Sequence, residues 1–474
     1  MQPSASITSS THSFVGAAPE KLDARPCAAS ASARASSNGT VSNVIALALK
    51  PGIRYESASC THARAYLSSR TILTILRFLG SGRPAVPARA ELGRLARVAL
   101  VHDYLTQYGG AERVLDVLHE RFPGAPVFTS LLDLAALPPH YRQWDIQESF
   151  LGKLPGASRN HRLLLPLYPA AFRRFASALE PFDLILADSS AWSHRVRVRS
   201  DAVLVCYCHS PARFLYGDPD YLAPARIPAP VRLVTGPLFA WLRRSDVQAA
   251  RRVDRYIANS CNVRQRILRA YGRDATVIYP PVDTELLAPA RIEPPEDWYL
   301  VVSRLVPHKR VDLAIDAFNA LKLPLKIIGT GRAMADLRRR AGPTIEFAGA
   351  LDDAAVIEHL RRCRALILPG AEDFGLTAIE AQAAGRPVIA YGAGGALESI
   401  IPGETGLYFS HPSASCLAAT VTEFARRQWD PERAMANAAR FSKQRFLQEL
   451  DKEIEQALAD RHRKLARSQA AAQG

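Results

Sequence analysis

No run in this sequence reaches the roughly 18 to 20 consecutive apolar residues that a membrane-spanning helix requires. The nearest approaches, "RLLLPLYPAAFRRFASAL" (162–179) and "VRLVTGPLFAWLRRS" (231–245), are shorter and ringed with arginine. Such basic amphipathic segments suit either a membrane interface or the face of a sheet. Cysteine is scarce: seven residues, at Cys27, Cys60, Cys206, Cys208, Cys261, Cys363 and Cys416. They form neither a disulfide framework nor a C-x2-C metal pair, so a reducing compartment is expected. Aromatic residues make up only 8%, and zinc-finger spacing, an aromatic RNA-binding string and a recognition-helix pattern are all missing. A nucleic-acid partner is thereby excluded despite the basic balance.

Acidic residues are unevenly short. Lys and Arg number 60 against 45 Asp and Glu, a net charge of +15. That excess divides as +7 over residues 1–96, +8 over 97–281 and zero over 282–474. Residues 1–96 are rich in Ala, Ser and Arg with few regular apolar periods, which predicts a disordered extension. Methionine is nearly missing too, with none between Met1 and Met334. A competing reading therefore puts the natural start at a non-Met codon near Leu92.

From Arg97 the texture changes. "RVALVHDYL" (97–105) reads as a buried strand, and "TQYGGAERVLDVLHERF" as a glycine turn followed by a helix with apolar residues at helical spacing. Further strands are expected at 183–187, 202–208, 255–260 and 275–283. As a strand, 202–208 places Cys206 and Cys208 on one face as small buried hydrophobes. Prolines 280, 281, 289, 294 and 295 mark a boundary. The alternation of apolar strands and helices then restarts at "WYLVVSRL" (298–305) and runs to "RPVIAYG" (386–392). This predicts an α/β chain with two doubly wound, Rossmann-like parallel sheets, one domain over 97–284 and a second over 285–430. Residues 431–474 read as a helical segment. Its stripe of Phe446, Leu450, Ile454 and Leu458 is expected to dock back across the domain junction.

Ligands of open parallel sheets bind beyond the carboxyl ends of the strands, and here those ends are polar and glycine-rich. "HDYLTQYGGAER" supplies Gly109 and Gly110 ahead of a helix, a setting for an anion or simply a tight turn. "HSPAR" (209–213) holds His209 at a strand end. "SRLVPHKR" (303–310) supplies Arg304 and Lys309 across a proline turn, a planar fork and a point charge suited to a diphosphate. "AEDFGLT" (371–377) followed by a helix places Glu372 and Glu380 up to about 12 Å apart at a rise of about 1.5 Å per residue. The two acids can bracket a ligand whose phosphates meet the amides of Gly375, Leu376 and Thr377, while carboxylates accept from sugar and ribose hydroxyls. "DPD" (218–220) only superficially matches the D-x-D of metal-dependent transferases. "GTGRAM" (329–334) lacks the third glycine of a dinucleotide fingerprint, which counts against a dehydrogenase.

With these motifs the chain resembles the retaining GT-B glycosyltransferases of family 4 (glycosyl transferases group 1) from about Arg97 to about Leu458. The most specific stretches are "SRLVPHKRVDLAIDAF" and "GAEDFGLTAIEAQAAGRPVIAYGAGGALESIIPGETGLYF". "VHDYLTQYGGAERVL" and "YCHSPARFLY" are similar to bacterial mannosyltransferases of O-antigen or exopolysaccharide synthesis. The resemblance implies that Arg304 and Lys309 bind the donor diphosphate, Glu380 the ribose, and Glu372 the donor sugar near the reacting face. It implies that His209 contacts the sugar and Gly110 the phosphate or acceptor side. Phe374, Gly375, Leu376 and Thr377 would give backbone contacts, and "GALDD" (349–353), with Ala350 and Leu351, would lie along the base. The implied reaction keeps the anomeric configuration, needs no metal or other cofactor, and moves a hexose, mannose from GDP-mannose, to a glycan or polyprenyl-linked acceptor. A cytoplasmic protein, peripheral on the inner face of an anionic membrane, is expected. The alternatives are a UDP-sugar-dependent transferase, an epimerase or glycan synthase of the same fold, and a non-catalytic nucleotide-sugar-binding protein.

Overall fold

The computed structural model describes residues 97–157, 161–216 and 229–473. The expected disorder over 1–96 and the "DPD" turn lie outside them.

Seven strands form the first sheet: β1 (Val98–His102), β2 (Val127–Thr129), β3 (Ile146–Glu148), β4 (Leu184–Ser189), β5 (Val203–Cys208), β6 (Arg255–Ala258) and β7 (Thr276–Val277). They lie in the order β3-β2-β1-β4-β5-β6-β7 and are parallel throughout. Strands β1, β4 and β5 are buried along their whole length, as continuous apolar runs in a sheet covered on both faces should be. Cys206 and Cys208 both lie in one apolar layer of this sheet. The second sheet contains β8 (Tyr299–Val302), β9 (Leu325–Ile328), β10 (Ile345–Gly349), β11 (Leu366–Leu368), β12 (Val388–Tyr391) and β13 (Gly406–Phe409). Its order, β10-β9-β8-β11-β12-β13, repeats the doubly wound pattern and is again all parallel.

The helices that position the site begin with α1 (Gly110–Arg121), which buries Val114, Leu115, Val117 and Leu118 on one stripe. Next, α2 (Ala229–Ala250) packs on the first sheet through Leu242 and Ala250, and α3 (Cys261–Tyr271) follows β6. Helix α3 shows why its boundaries fall where they do: the Ser260 hydroxyl accepts from the Val263 amide, and Gly272 closes the other end at φ +64°. In the second half come α4 (Val311–Leu321), α5 (Asp353–Arg362) and α6 (Leu376–Ala383). The chain then runs through α7 (Ala414–Ala425) and α8 (Pro431–Ala438) into the long α9 (Lys443–Gln473).

Helix α9 returns to the first sheet. Phe446, Leu450, Ile454 and Ala457 are buried in the same layer as Leu100, Val114 and Leu186, with Leu458 partly buried beside them. Arg121 of α1 donates to Asp451 at 2.9 Å, and Arg255 of β6 to Glu453 at 3.2 Å. Burial of the apolar stripe, rather than those ion pairs, supplies most of this attachment. Ile454→Ala should accordingly cost about 2–5 kcal/mol of stability in urea unfolding; a loss under 1 kcal/mol would show that the stripe carries little of it.

Both arginine-ringed apolar segments pack on the first sheet. Tyr168, Ala171 and Phe172 of the first, and Leu242 of the second, belong to one buried layer. Leu163, Leu167 and Trp241 stay exposed. No helix among the described residues is long and apolar enough to cross a membrane.

Candidate functional site

Side chains from the carboxyl ends of both sheets meet in one place. On the second sheet, β8 runs into Ser303 and Arg304, and a 3-10 turn over Pro307–Lys309 follows. Gly329 fixes this loop: its φ is +131°, and a Cβ there would lie 1.9 Å from the Ser303 carbonyl oxygen. The glycines of "GTG" therefore serve close backbone packing, not a dinucleotide turn. Strand β11 runs into the loop bearing Glu372, which bridges to Gly394, and the Gly395 amide donates to the Glu372 carbonyl at 2.9 Å. Gly394, at φ +64°, brings its Cα against that same carbonyl, where a Cβ would stand at 2.2 Å. In this frame the Lys309 ammonium donates to the Glu372 carboxylate.

Helix α6 begins directly after this loop. Gly375 occupies its N-cap in the left-handed region and has no side chain to cap the first turn, so the amides of Leu376 and Thr377 start the helix uncapped. Phe374 is buried against Tyr279 and Phe441, at ring-centroid distances of 5.4 and 5.5 Å. Only its backbone is free to serve a ligand. Glu380 sits one turn into the helix and is buried. Burial pushes its carboxyl above the ordinary range; the Arg113 guanidinium opposes that shift and Asp353 adds to it. Leu351 packs at the edge of the apolar layer beneath, and Ala350 is exposed.

The first sheet reaches this site through the glycine turn. Gly109 is the N-cap of α1, and a Cβ on Gly110 would stand 2.8 Å from Leu376 Cδ1. Arg304 Nη1 donates to Gln107 Oε1 at 3.0 Å, Arg113 Nη1 to Glu380 Oε1 at 2.9 Å, and Arg113 Nη2 to Asp353 Oδ1 at 2.7 Å. Two further arginines close on the acidic loop: Arg213 Nη2 lies 2.6 Å from Asp373 Oδ2, and Arg266 Nη1 donates to Asp373 Oδ1 at 2.9 Å. Glu398 accepts from the amides of Cys261 and Asn262 at 2.7 and 3.0 Å, a carboxylate from the helical turn after β12 at the N-terminus of α3.

His209 follows β5, and its Nε2 lies 2.5 Å from Asp188 Oδ1. The same carboxylate accepts from His102 Nδ1 at 2.9 Å, and His102 Nε2 is 3.5 Å from Glu112 Oε1. Burial opposes charge on His102, but hydrogen bonds to Asp188 and Glu112 and the charges of both outweigh it and raise its pKa from 6.5 to about 10. Between those limits the folded chain holds one proton more than the unfolded chain. Stability due to this ring is thus complete below pH 6.5 and is lost as pH rises through about 10, at about 1.4 kcal/mol per pH unit. Denaturant titrations from pH 6.5 to 10 should show this slope flattened in His102→Gln; an unchanged slope would overturn the assignment.

Arg113, Asp188, His102, Glu112, Asp373 and Arg266 were not selected by sequence reasoning. Arg113 alone had a local signal, as the first cation after the glycine pair.

Comparison with known proteins bears on the family and the fold. Residues 108–286 match the model described as Glycosyltransferase Family 4, and residues 283–441 match Glycosyl transferases group 1. The D-inositol 3-phosphate glycosyltransferase of Streptomyces scabiei is 29% identical over 227 residues, covering 41% of this chain and 51% of that protein. Glycogen synthase of Mycobacterium tuberculosis is 34% identical over 163 residues, covering 32% and 38%. The chain thus spans about half or less of these curated relatives. Among solved structures, Anabaena HepE in complex with UDP superposes with a TM-score of 0.55 at 19% identity, covering 76% of this chain and 100% of that one, a likeness of fold. With two Rossmann-like sheets and both halves matched in sequence, the chain belongs to the GT-B glycosyltransferases of family 4, group 1.

Proposed function

We propose that this protein is a retaining, metal-independent glycosyltransferase that moves a hexose from a nucleotide diphosphate donor onto a glycan or lipid-linked glycan acceptor. The reading rests on one observation: Arg304, Lys309, Glu372, the start of α6 and Glu380 converge at the carboxyl ends of β8 and β11 and face the glycine turn of the first sheet. A departing nucleoside diphosphate gains negative charge as the sugar becomes oxocarbenium-like. Fixed cations and helix amides lower that barrier, each preorganised donor being worth about 2.7–4 kcal/mol. Glu380 would accept from the ribose hydroxyls and Glu372 from the sugar, with His209 at the sugar from the other side.

The resemblance of "VHDYLTQYGGAERVL" and "YCHSPARFLY" to surface-polysaccharide mannosyltransferases is the ground for proposing GDP-mannose. A structure of HepE in complex with UDP-glucose makes UDP-sugars the second donor class to test. Calorimetry across GDP- and UDP-sugars, with Glu380→Ala and Lys309→Ala as controls, decides both points. Each substitution should weaken donor binding at least tenfold, and unchanged affinity in both would move the site elsewhere. Activity that survives EDTA, and a product whose anomeric configuration matches the donor by NMR, are the expected marks of the mechanism. Donor binding without hydrolysis or transfer across a broad acceptor panel would instead identify a nucleotide-sugar sensor. The exposed Leu163, Leu167 and Trp241, on segments ringed with arginine, support placement on an anionic membrane surface. Failure to sediment with anionic liposomes at low salt would remove that clause.

A further inference from the structure

We propose that Asp188, held from its other side by His102, is a positioning residue that fixes the tautomer and ring orientation of His209. The inference rests on the reading that His209 meets the donor sugar.

The strand register puts these groups together. Asp188 pairs with His102 on β1 and with Tyr207 on β5. His209 lies two residues beyond Tyr207, and side chains two apart along a strand share a face. Asp188 is fully buried and divides its carboxylate: Oδ1 lies 2.5 Å from His209 Nε2, and Oδ2 lies 2.9 Å from His102 Nδ1. Burial alone would raise its pKa, yet His209 and His102 together hold it below the ordinary aspartate value. An ionised carboxylate only accepts. The imidazole proton on that side therefore sits on His209 Nε2, and a singly protonated ring keeps Nδ1 as an acceptor for a hydroxyl.

The backbone of His209 is already fixed without Asp188. Its amide donates to the Ser189 carbonyl at 2.8 Å, and its carbonyl accepts from Asn259 Nδ2 at 3.2 Å. Ring rotation and tautomer are what remain for Asp188 to decide. Glu112 completes the chain behind His102. It lies two residues after Gly110 in α1, so the line from Glu112 through His102 and Asp188 to His209 links the glycine turn to the ring.

The test is histidine-selective 15N labelling of the full chain, with long-range proton–nitrogen spectra at pH 7.5. The His209 signals are assigned by their loss in His209→Gln. In the unsubstituted protein the His209 proton should reside on Nε2; a ring protonated only at Nδ1 would overturn the proposal without recourse to any variant. In folded Asp188→Asn the His209 signals should shift to a mixture of tautomers, and kcat should fall at least tenfold with donor KM within threefold. An unchanged tautomer together with unchanged kcat would overturn it equally. Because the tautomer is read without substrate, lack of transfer activity in the unsubstituted protein would bear on the functional reading alone.

Discussion

Arg304→Ala and Lys309→Ala should each lower kcat for sugar transfer by roughly a hundredfold to a thousandfold, the cost of removing one preorganised donor to a developing anion. The two variants should differ in their second effect. Arg304 is exposed and held by the neutral Gln107, so its loss removes a fork without stranding a charge. Lys309 is paired with Glu372, and its loss leaves that carboxylate beside the leaving group without its partner, so donor KM should rise as well. Arg304→Lys should recover only part of the rate, because an ammonium cannot form the planar two-point contact of a guanidinium. Steady-state kinetics with the donor identified by calorimetry reads all three; rates within threefold of the unsubstituted enzyme in both alanine variants would remove these cations from the reaction.

Asp246→Ala should destabilise the fold by about 3–5 kcal/mol, because it strands a buried cation rather than merely deleting a contact. Asp246 is fully buried, and Arg195 is 2% exposed. Arg195 Nε donates to Asp246 Oδ1 at 3.0 Å, the Tyr216 hydroxyl donates to Oδ2 at 2.8 Å, and His194 Nε2 lies 3.1 Å from Oδ1. The group joins α2 to the segment after β4. The contrast is the exposed pair of Arg433 and Glu404 at 3.0 Å, where Glu404→Ala should change stability by less than about 1 kcal/mol. Urea unfolding of both variants compares them directly, and a loss below 1 kcal/mol for Asp246→Ala would show that Arg195 finds another partner or water.

The central strands were legible because a strand buried on both faces carries an unbroken apolar run, as in "VALVH" and "VLVCYC". The two short strands on one side of β1 were not. Strands β2 and β3 are three residues each, and β3 is "IQE" with two exposed positions, so they offer no period long enough to recognise. The expected strand over 275–283 contracts to Thr276–Val277, since Pro280 and Pro281 have no amide to donate to a ladder.

Among candidate site residues, those in contiguous motifs could be chosen from the sequence: Arg304 with Lys309, Glu372 with Glu380, and His209 at its strand end. Their partners could not. Arg113 lies 267 positions from Glu380, and His102 lies 86 from Asp188. Local periodicity carries no information about such pairs.

The residue pattern thus dictated the strand-and-helix alternation and the placement of polar residues at strand ends, since burial and backbone geometry act over a few neighbouring positions. Which carboxylate meets which cation, and the sharing of Asp188 between two histidines, follow from strand register and from the approach of the two sheets. Those are long-range contacts, set by how whole layers pack, and they come into being only in the assembled fold.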